Sequence, residues 1–482
     1  MVADMEPQSV ATAGDLHLYE QVAETIASSI QNGTLRPGDR IPSVRRLSAR
    51  QKVSMSTVLQ AYMLLEDRGL IEARPQSGYY VKLRLLDLPP EPARTKPSAS
   101  ACTVSVADLV VDVHRALADP GIIPFGAACP SPELLPGQRL NRTLASVLRR
   151  FGASGHGYDQ AEGRVELRQQ IARRSLDWGC TIAPDDLVTT CGGTEAINIC
   201  LRAVTKPGDT IAVESPTYYG ALQIIEGLQL RTVEIATDPR EGICLDALES
   251  ALKRHTIRAL FVMPNFQNPL GSLMPDRKKR ALLELVTTRD IPVIEDDIYG
   301  DLYFGRERPR PLKAFDRKGN VLLCSSFSKT LSPGYRVGFT APGRYFREVV
   351  RQKLISTITT PTLPQMAIAE ILRNGGYDHY LRKIRKAYQA QVQRAVHAVA
   401  RYFPEGTKVT RPAGGFILWL ELPRHVDAFD LYRRAIDERI SIAPGQMFSP
   451  KQQFRNCIRI SCGHPWSDAL EHAMQRLGRL AG

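Results

Sequence analysis

Apolar residues recur every fourth position near the start of the chain, at Leu18, Val22, Ile26 and Ile30. One stripe at that spacing predicts an amphipathic helix, and Asn32–Gly33 supplies its stop. Two shorter helical patterns follow. Ser43 is placed to cap the first, which carries Arg45 and Arg46, and Ser54 to cap the second, which begins near Met55. On this second helix Val58, Tyr62 and Leu65 share one face, while Ser56, Thr57 and Gln60 cluster on the other. Leu70–Ala73 and Tyr79–Lys82 read as two strands joined by RPQSG, whose Pro and Gly suit a tight turn. Residues 83–102, LRLLDLPPEPARTKPSASAC, are rich in Pro and Ser and follow no helical or strand period, so they predict an extended linker. Beyond it short apolar runs alternate with helical patterns: Leu187–Thr190, Thr210–Val213, Ala259–Met263, Ile291–Ile294 and Val321–Cys324. That alternation predicts an α/β unit with a mostly parallel sheet. The expected organisation is an α+β module over residues 15–82, a linker over 83–102 and a long α/β unit over 103–482.

At 482 residues, 43% hydrophobic and 23% charged, the chain is ordinary globular material and too long for a single core. No run approaches the roughly 20 apolar residues that span a bilayer, and Met1 to Gly14 lack the basic-then-apolar order of a signal peptide. A cytoplasmic location is expected. The nine cysteines contain no CxxC, and Cys457 with Cys462 has no matching His or Cys pair. Reduced packing thiols are expected, with neither a zinc site nor a disulfide framework. The formal charge is +13, and between Gln31 and Arg84 ten Lys and Arg stand against four Asp and Glu. Such a distribution suits an anionic partner.

The segment SSFSKTLSPGYRVGF places Lys329 just past an apolar strand, between hydroxyls at Ser326 and Ser328 and with Arg336 seven residues on. A lysine that forms a Schiff base must be desolvated and fixed, and hydroxyls with an arginine fork suit a phosphate dianion. A lone lysine there would be a surface residue in a loop. Upstream, IEDDIYGDL sets Asp296 at the end of another strand, either suited to a pyridine nitrogen or simply a solvated strand end, and Tyr299 three residues on, suited to a ring oxygen. Asn268, in MPNFQNPLG, is either a second group at that oxygen or a turn residue. Gly192, Gly193 and Thr194 precede a helical pattern, where free backbone amides bind phosphate or a glycine turn goes without a ligand. Tyr218 offers a stacking face with Tyr219 as competitor, and Arg459, in the apolar run CIRIS, needs a buried anion or a salt bridge.

Residues 16–82 resemble the GntR-like winged helix-turn-helix family, through IPSVRRLSA, SMSTVLQAY and PQSGYYV. The resemblance implies binding of double-stranded operator DNA, with contacts by Arg45, Ser54, Ser56, Thr57 and Gly78, and Arg46 weighed below Arg45. From about Gly126 to the C-terminus the motifs together resemble fold-type I aminotransferases, especially the branch with aminoadipate and kynurenine aminotransferases. This implies pyridoxal 5'-phosphate, a large domain with a mostly parallel sheet and a smaller C-terminal α+β domain. It assigns Lys329 to the cofactor's Schiff base, Asp296 to the pyridine nitrogen, and Asn268 with Tyr299 to the 3-oxygen. Tyr218 becomes the stacking ring, and Gly193, Thr194, Ser326 and Arg336 hold the phosphate. Arg459 becomes the clamp for an amino-acid α-carboxylate, and Tyr158 reaches the phosphate of a partner subunit, which implies a homodimer. Glu195 departs from the pattern, since relatives often carry Gln there.

The two modules in one chain resemble the MocR subfamily of regulators. That resemblance implies a regulator sensing an amino acid or amine through Schiff-base exchange. The alternative is a working aminotransferase with a DNA-binding head. A regulator that has lost its cofactor fits poorly with an intact Lys329, Asp296 and Arg336.

Overall fold

The computed structural model describes residues 17–31, 34–35, 38–74, 77–82, 88–116, 119 and 121–482. The expected stop at Asn32–Gly33, Pro75–Gln76 of the turn and residues 83–87 of the linker lie outside them. The chain divides into two compact units, Met1–Leu88 and Pro89–Gly482.

In the first unit, helices Leu18–Gln31, Val44–Gln51 and Met55–Asp67 precede an antiparallel pair of strands, Ile71–Arg74 and Gly78–Val81. Both strands are offset by one residue from the pattern-based bounds. In the first helix Val22, Ala23, Ile26 and Ala27 are buried, whereas Leu18 is exposed. The packed stripe is therefore narrower in side-chain size than the large apolar residues suggest. Val58, Ala61, Tyr62 and Leu65 of the third helix are fully buried, so its inner face is used up by the unit's own core. Tyr62 also donates to the Pro42 carbonyl at 2.6 Å, which satisfies its buried hydroxyl.

The second unit centres on a nine-stranded sheet. Strands Arg231–Asp238, Thr210–Ser215, Ile257–Val262, Val293–Asp296 and Val321–Ser326 lie side by side in that order and all parallel. Gly338–Ala341 runs antiparallel beyond them, followed by Val188–Thr190. The interior strands are buried on both faces, which is why they read as continuous apolar runs in the sequence. Val188–Thr190 and the parallel strands end at one edge of the sheet, where ligands of open α/β sheets bind. A smaller antiparallel sheet of Lys408–Val409, Ile417–Glu421, Cys457–Ser461 and Ala443–Pro444 follows, with helices Gly376–Tyr402, Ala428–Asp437 and Asp468–Ala481.

Residues 88–101 contain no helix or strand, and Cys102 pairs with Thr232 in a short strand, Cys102–Thr103. From Pro89 on, the segment is laid along the rest of the second unit. Its Pro89 and Pro90 carbonyls accept from Arg411 and the Val409 N–H at 2.9 and 3.0 Å. Glu91 pairs with Arg240, and the Thr95 hydroxyl donates to the Ser215 carbonyl at 2.6 Å. This strap touches both the large sheet and the smaller one. Among the described residues no helix is long and apolar enough to cross a membrane.

Candidate cofactor site and nucleic-acid interface

Lys329, Asp296, Asn268, Tyr299, Tyr218, Gly193, Thr194 and Arg336 all line one cavity of about 1240 Å³ at the carboxyl edge of the large sheet. Residues up to 143 positions apart in sequence meet there because their strands are neighbours: Asp296 closes one strand, and its register partner Cys324 lies on the strand that leads to Lys329. The Lys329 amine donates to the Ala128 carbonyl at 2.6 Å. Burial lowers its pKa, and Asp296 is among the groups that oppose the shift. Asp296 itself is 3% exposed, accepts from the Ile298 N–H at 3.1 Å, and is pushed up to about 7 by burial.

Asn268 is buried, and its Oδ1 has no hydrogen-bond partner. Tyr299, also buried, packs edge-on against Phe416 with ring centres 5.6 Å apart, and burial raises its pKa. Tyr218 is half-buried and Tyr219 buried, with ring centres 5.2 Å apart, and both line the cavity.

Helix Gly193–Val204 begins at the cavity with Gly192 as its cap and no side chain on its first amides. Gly192 has φ +85°, and a Cβ there would collide with the Arg336 guanidinium, so glycine is required on both counts. Arg336 Nη2 donates to the Cys191 carbonyl at 3.1 Å, which holds the guanidinium over this turn. Ser326, just outside the cavity lining, abuts Gly193, and its Oγ accepts from the Ser328 N–H at 3.3 Å.

Two further expected members also stand outside the lining. Tyr158 is 87% exposed. Arg459 is 0% exposed in the strand Cys457–Ser461, with its guanidinium carbon 5.8 Å from the centre of the cavity-lining Tyr219 ring. Its Nη2 donates to the Gly126 carbonyl, while Nε and Nη1 are buried without partners.

Several partnerships carry no linear signal. Glu195 pairs with Lys353, a fully buried lysine, at 2.8 Å, and also accepts from Ser356, Thr357 and the Cys191 N–H. Burial alone raises its pKa, and hydrogen bonds from Lys353 and Thr357 outweigh that, leaving the carboxyl below its ordinary range. Its charge is thereby balanced within the protein. Behind the cavity, Arg308 bridges Asp297 and Asp301, both at 2.6 Å, and stacks 4.7 Å over Trp178. Asp297 also accepts from Asn265, while Tyr377 bonds Asp301 at 3.3 Å and Thr330 at 2.8 Å. Asn265, Asp297, Asp301 and Thr330 each lie within three residues of Asn268, Asp296, Tyr299 or Lys329, and Arg308 and Tyr377 bond to them. A run such as RERPRP gives no hint that Arg308 is its hub, because its partners come from other segments.

In the first unit Ser54 caps helix Met55–Asp67 by accepting from the Thr57 N–H at 3.1 Å. Its hydroxyl also bonds those of Ser56 at 2.7 Å and Thr57 at 2.8 Å. Arg45 and Arg46 are exposed on the preceding helix, whose cap, Ser43, accepts from the Arg46 N–H at 3.4 Å. Gly78 is exposed at the start of its strand with φ +101°.

Residues 18–81 match the family of bacterial regulatory proteins, gntR family, and residues 139–477 match aminotransferase class I and II. The chain is 43% identical to the uncharacterized HTH-type transcriptional regulator YdcR of Escherichia coli, over 96% of this chain and 98% of that one. It is 34% identical to the 2-aminoadipate transaminase of Thermus thermophilus, over 75% of this chain and 90% of that one. The structure of LysN, α-aminoadipate aminotransferase from T. thermophilus complexed with N-(5'-phosphopyridoxyl)-L-leucine, superposes with a TM-score of 0.72 at 33% identity. That likeness covers 77% of this chain and 94% of LysN. The chain therefore belongs to the class I and II aminotransferase family and, with a gntR-family domain ahead of it, to the MocR-type transcriptional regulators.

Proposed function

We propose that this chain is a cytoplasmic, pyridoxal-phosphate-dependent regulator that senses an amino acid or amine and binds operator DNA as a homodimer. The observation that carries the reading is the convergence of Lys329, Asp296, Asn268 and Tyr299 on one cavity, in a chain that also has a gntR-family head.

The residues fit the cofactor on physical grounds. A buried carboxyl at Asp296, an Asn268 amide with one unpartnered end, and an uncapped helix start beside Arg336 are open positions for a protonated ring, a ring oxygen and a phosphate. Pyridoxal phosphate, when bound, supplies an aldehyde carbon for amines and a ring that withdraws electrons. Asp296 would hold a proton at the ring nitrogen, and Asn268 with Tyr299 would orient the ring oxygen. Tyr218 would cover one ring face. Gly193, Thr194, Ser326 and Arg336 would hold the phosphate, with Glu195 kept off it by Lys353. Lys329, its proton affinity reduced by burial, would be the amine that a ligand displaces.

Arg459, with Nε and Nη1 idle, would take the ligand's carboxylate. A partner subunit is supported by Tyr158 and by Leu354, Ile355 and Ile358, all exposed; the last three flank Ser356 and Thr357 at the cavity. Arg45, Ser54, Ser56, Thr57 and Gly78 would meet DNA, the first two at phosphates.

The test is a titration of amino acids into the cofactor-loaded protein, following its visible spectrum, 2-oxo-acid production and operator binding together. A stoichiometric spectral change with altered DNA affinity and no turnover is expected. Sustained 2-oxo-acid production would favour the transaminase reading, which the 34% identity to a transaminase supports.

A further inference from the structure

Helix Met55–Asp67 exposes a row of large apolar side chains: Met55 is 54% exposed, Leu59 44% and Met63 56%. These residues recur every fourth position, so they form one line along the helix. They stand outside the unit's own core, which takes Val58, Ala61, Tyr62 and Leu65 from the adjoining face of the helix. Exposed Ser56 and Gln60 lie on the same outer surface.

The charges around this row are of one sign. From Arg40 to Leu65 the chain has no Asp or Glu, but it has Arg40, Arg45, Arg46, Arg50 and Lys52. Helix Met55–Asp67 itself contains no Arg or Lys. It therefore lacks the bidentate donor that most often reads guanine, while the cations beside it are suited to phosphates. What remains on its outer surface is one amide, Gln60, suited to adenine N6 and N7, and aliphatic groups. In the major groove the group that an aliphatic side chain matches is the thymine C5-methyl.

We propose that this helix reads A·T base pairs, with Met55 and Leu59 packed on thymine methyl groups and Gln60 on an adenine. The proposal rests on the reading of the first unit as a DNA-binding head. Four residues of helix advance by about 6 Å, close to two base-pair steps of about 3.4 Å. Met55 and Leu59 thus address positions about two base pairs apart, and Met63 lies one turn deeper along the groove.

The experiment uses the full-length, cofactor-loaded protein and a library of random duplexes. The enriched duplex is resynthesised with deoxyuridine at each thymidine in turn, which removes one methyl and leaves pairing unchanged. The expected result is an A·T-rich motif in which uracil at one or two positions of each half-site weakens binding about three- to five-fold, the size of burying one methyl. Leu59→Ala should make one of those positions insensitive to the methyl, and Met55→Ser should do so at the other. An enriched motif that tolerates uracil at every position, or one built on G·C pairs, overturns the proposal and leaves the DNA-binding head standing. A protein that enriches no duplex refutes both.

Discussion

Arg459→Lys separates ligand recognition from cofactor retention. The parent guanidinium is fully buried, one nitrogen is spent on the Gly126 carbonyl and two have no partner. Beside it lie ring faces rather than an anion, with the Phe448 ring centre 5.4 Å away. A buried cation with idle donors is costly, and an incoming carboxylate relieves that cost through charge-assisted bonds from the guanidinium's N–H groups. Lysine keeps the charge and a bond to Gly126 but has no second prong. A hydrogen bond to a charged group contributes about 1.5–3 kcal/mol, so effector affinity should fall roughly ten- to 150-fold. Ligand-free melting should move only by the few degrees that about 1 kcal/mol produces. The assay is a thermal-shift screen of the standard amino acids, followed by calorimetric titration of the best ligand into parent and variant. Equal affinity in both would show that the carboxylate clamp lies elsewhere. Loss of the cofactor's visible absorbance in the variant would instead make Arg459 part of the cofactor site.

Lys329→Ala should abolish the borohydride-stable adduct with pyridoxal phosphate, read by intact mass; an adduct that persists assigns the linkage to another lysine. In the cofactor-free protein Asp296 titrates near 7 against an ordinary value of 3.8. The folded state therefore retains a proton that the unfolded chain releases, and stability declines as pH rises through that window. Asp296→Asn should flatten the decline in urea melts, and an unchanged slope would contradict the burial argument. Arg308→Met leaves buried Asp297 without its cation and Asp301 with only Arg174, 3.8 Å away, and should destabilise the second unit by about 3 kcal/mol; a loss below about 1 kcal/mol in chemical denaturation would remove Arg308 as the hub.

Local chemistry was legible in the chain itself. Ser43 and Ser54 announce helix starts because a capping hydroxyl acts within three residues, and the buried parallel strands read as apolar runs because both their faces are covered. The cavity set was legible for a related reason: Asp296 ends a strand, Asn268 and Lys329 each follow one, and parallel strands must deliver their carboxyl ends to one edge. Tertiary structure decided whatever depends on distant partners. The strap over residues 89–101 reads as a plain linker because its hydrogen bonds go to Val409, Arg411 and Ser215. Glu195 looked out of place beside a phosphate until Lys353, 158 residues away, balanced its charge. Leu18 fitted the apolar stripe of its helix and is exposed, while Ala23 and Ala27 are buried, since packing follows the shape of the neighbouring helices rather than side-chain hydrophobicity alone. Spacing along a chain determines which faces elements present, and only the folded contacts determine which charges are paired and which are left for a ligand.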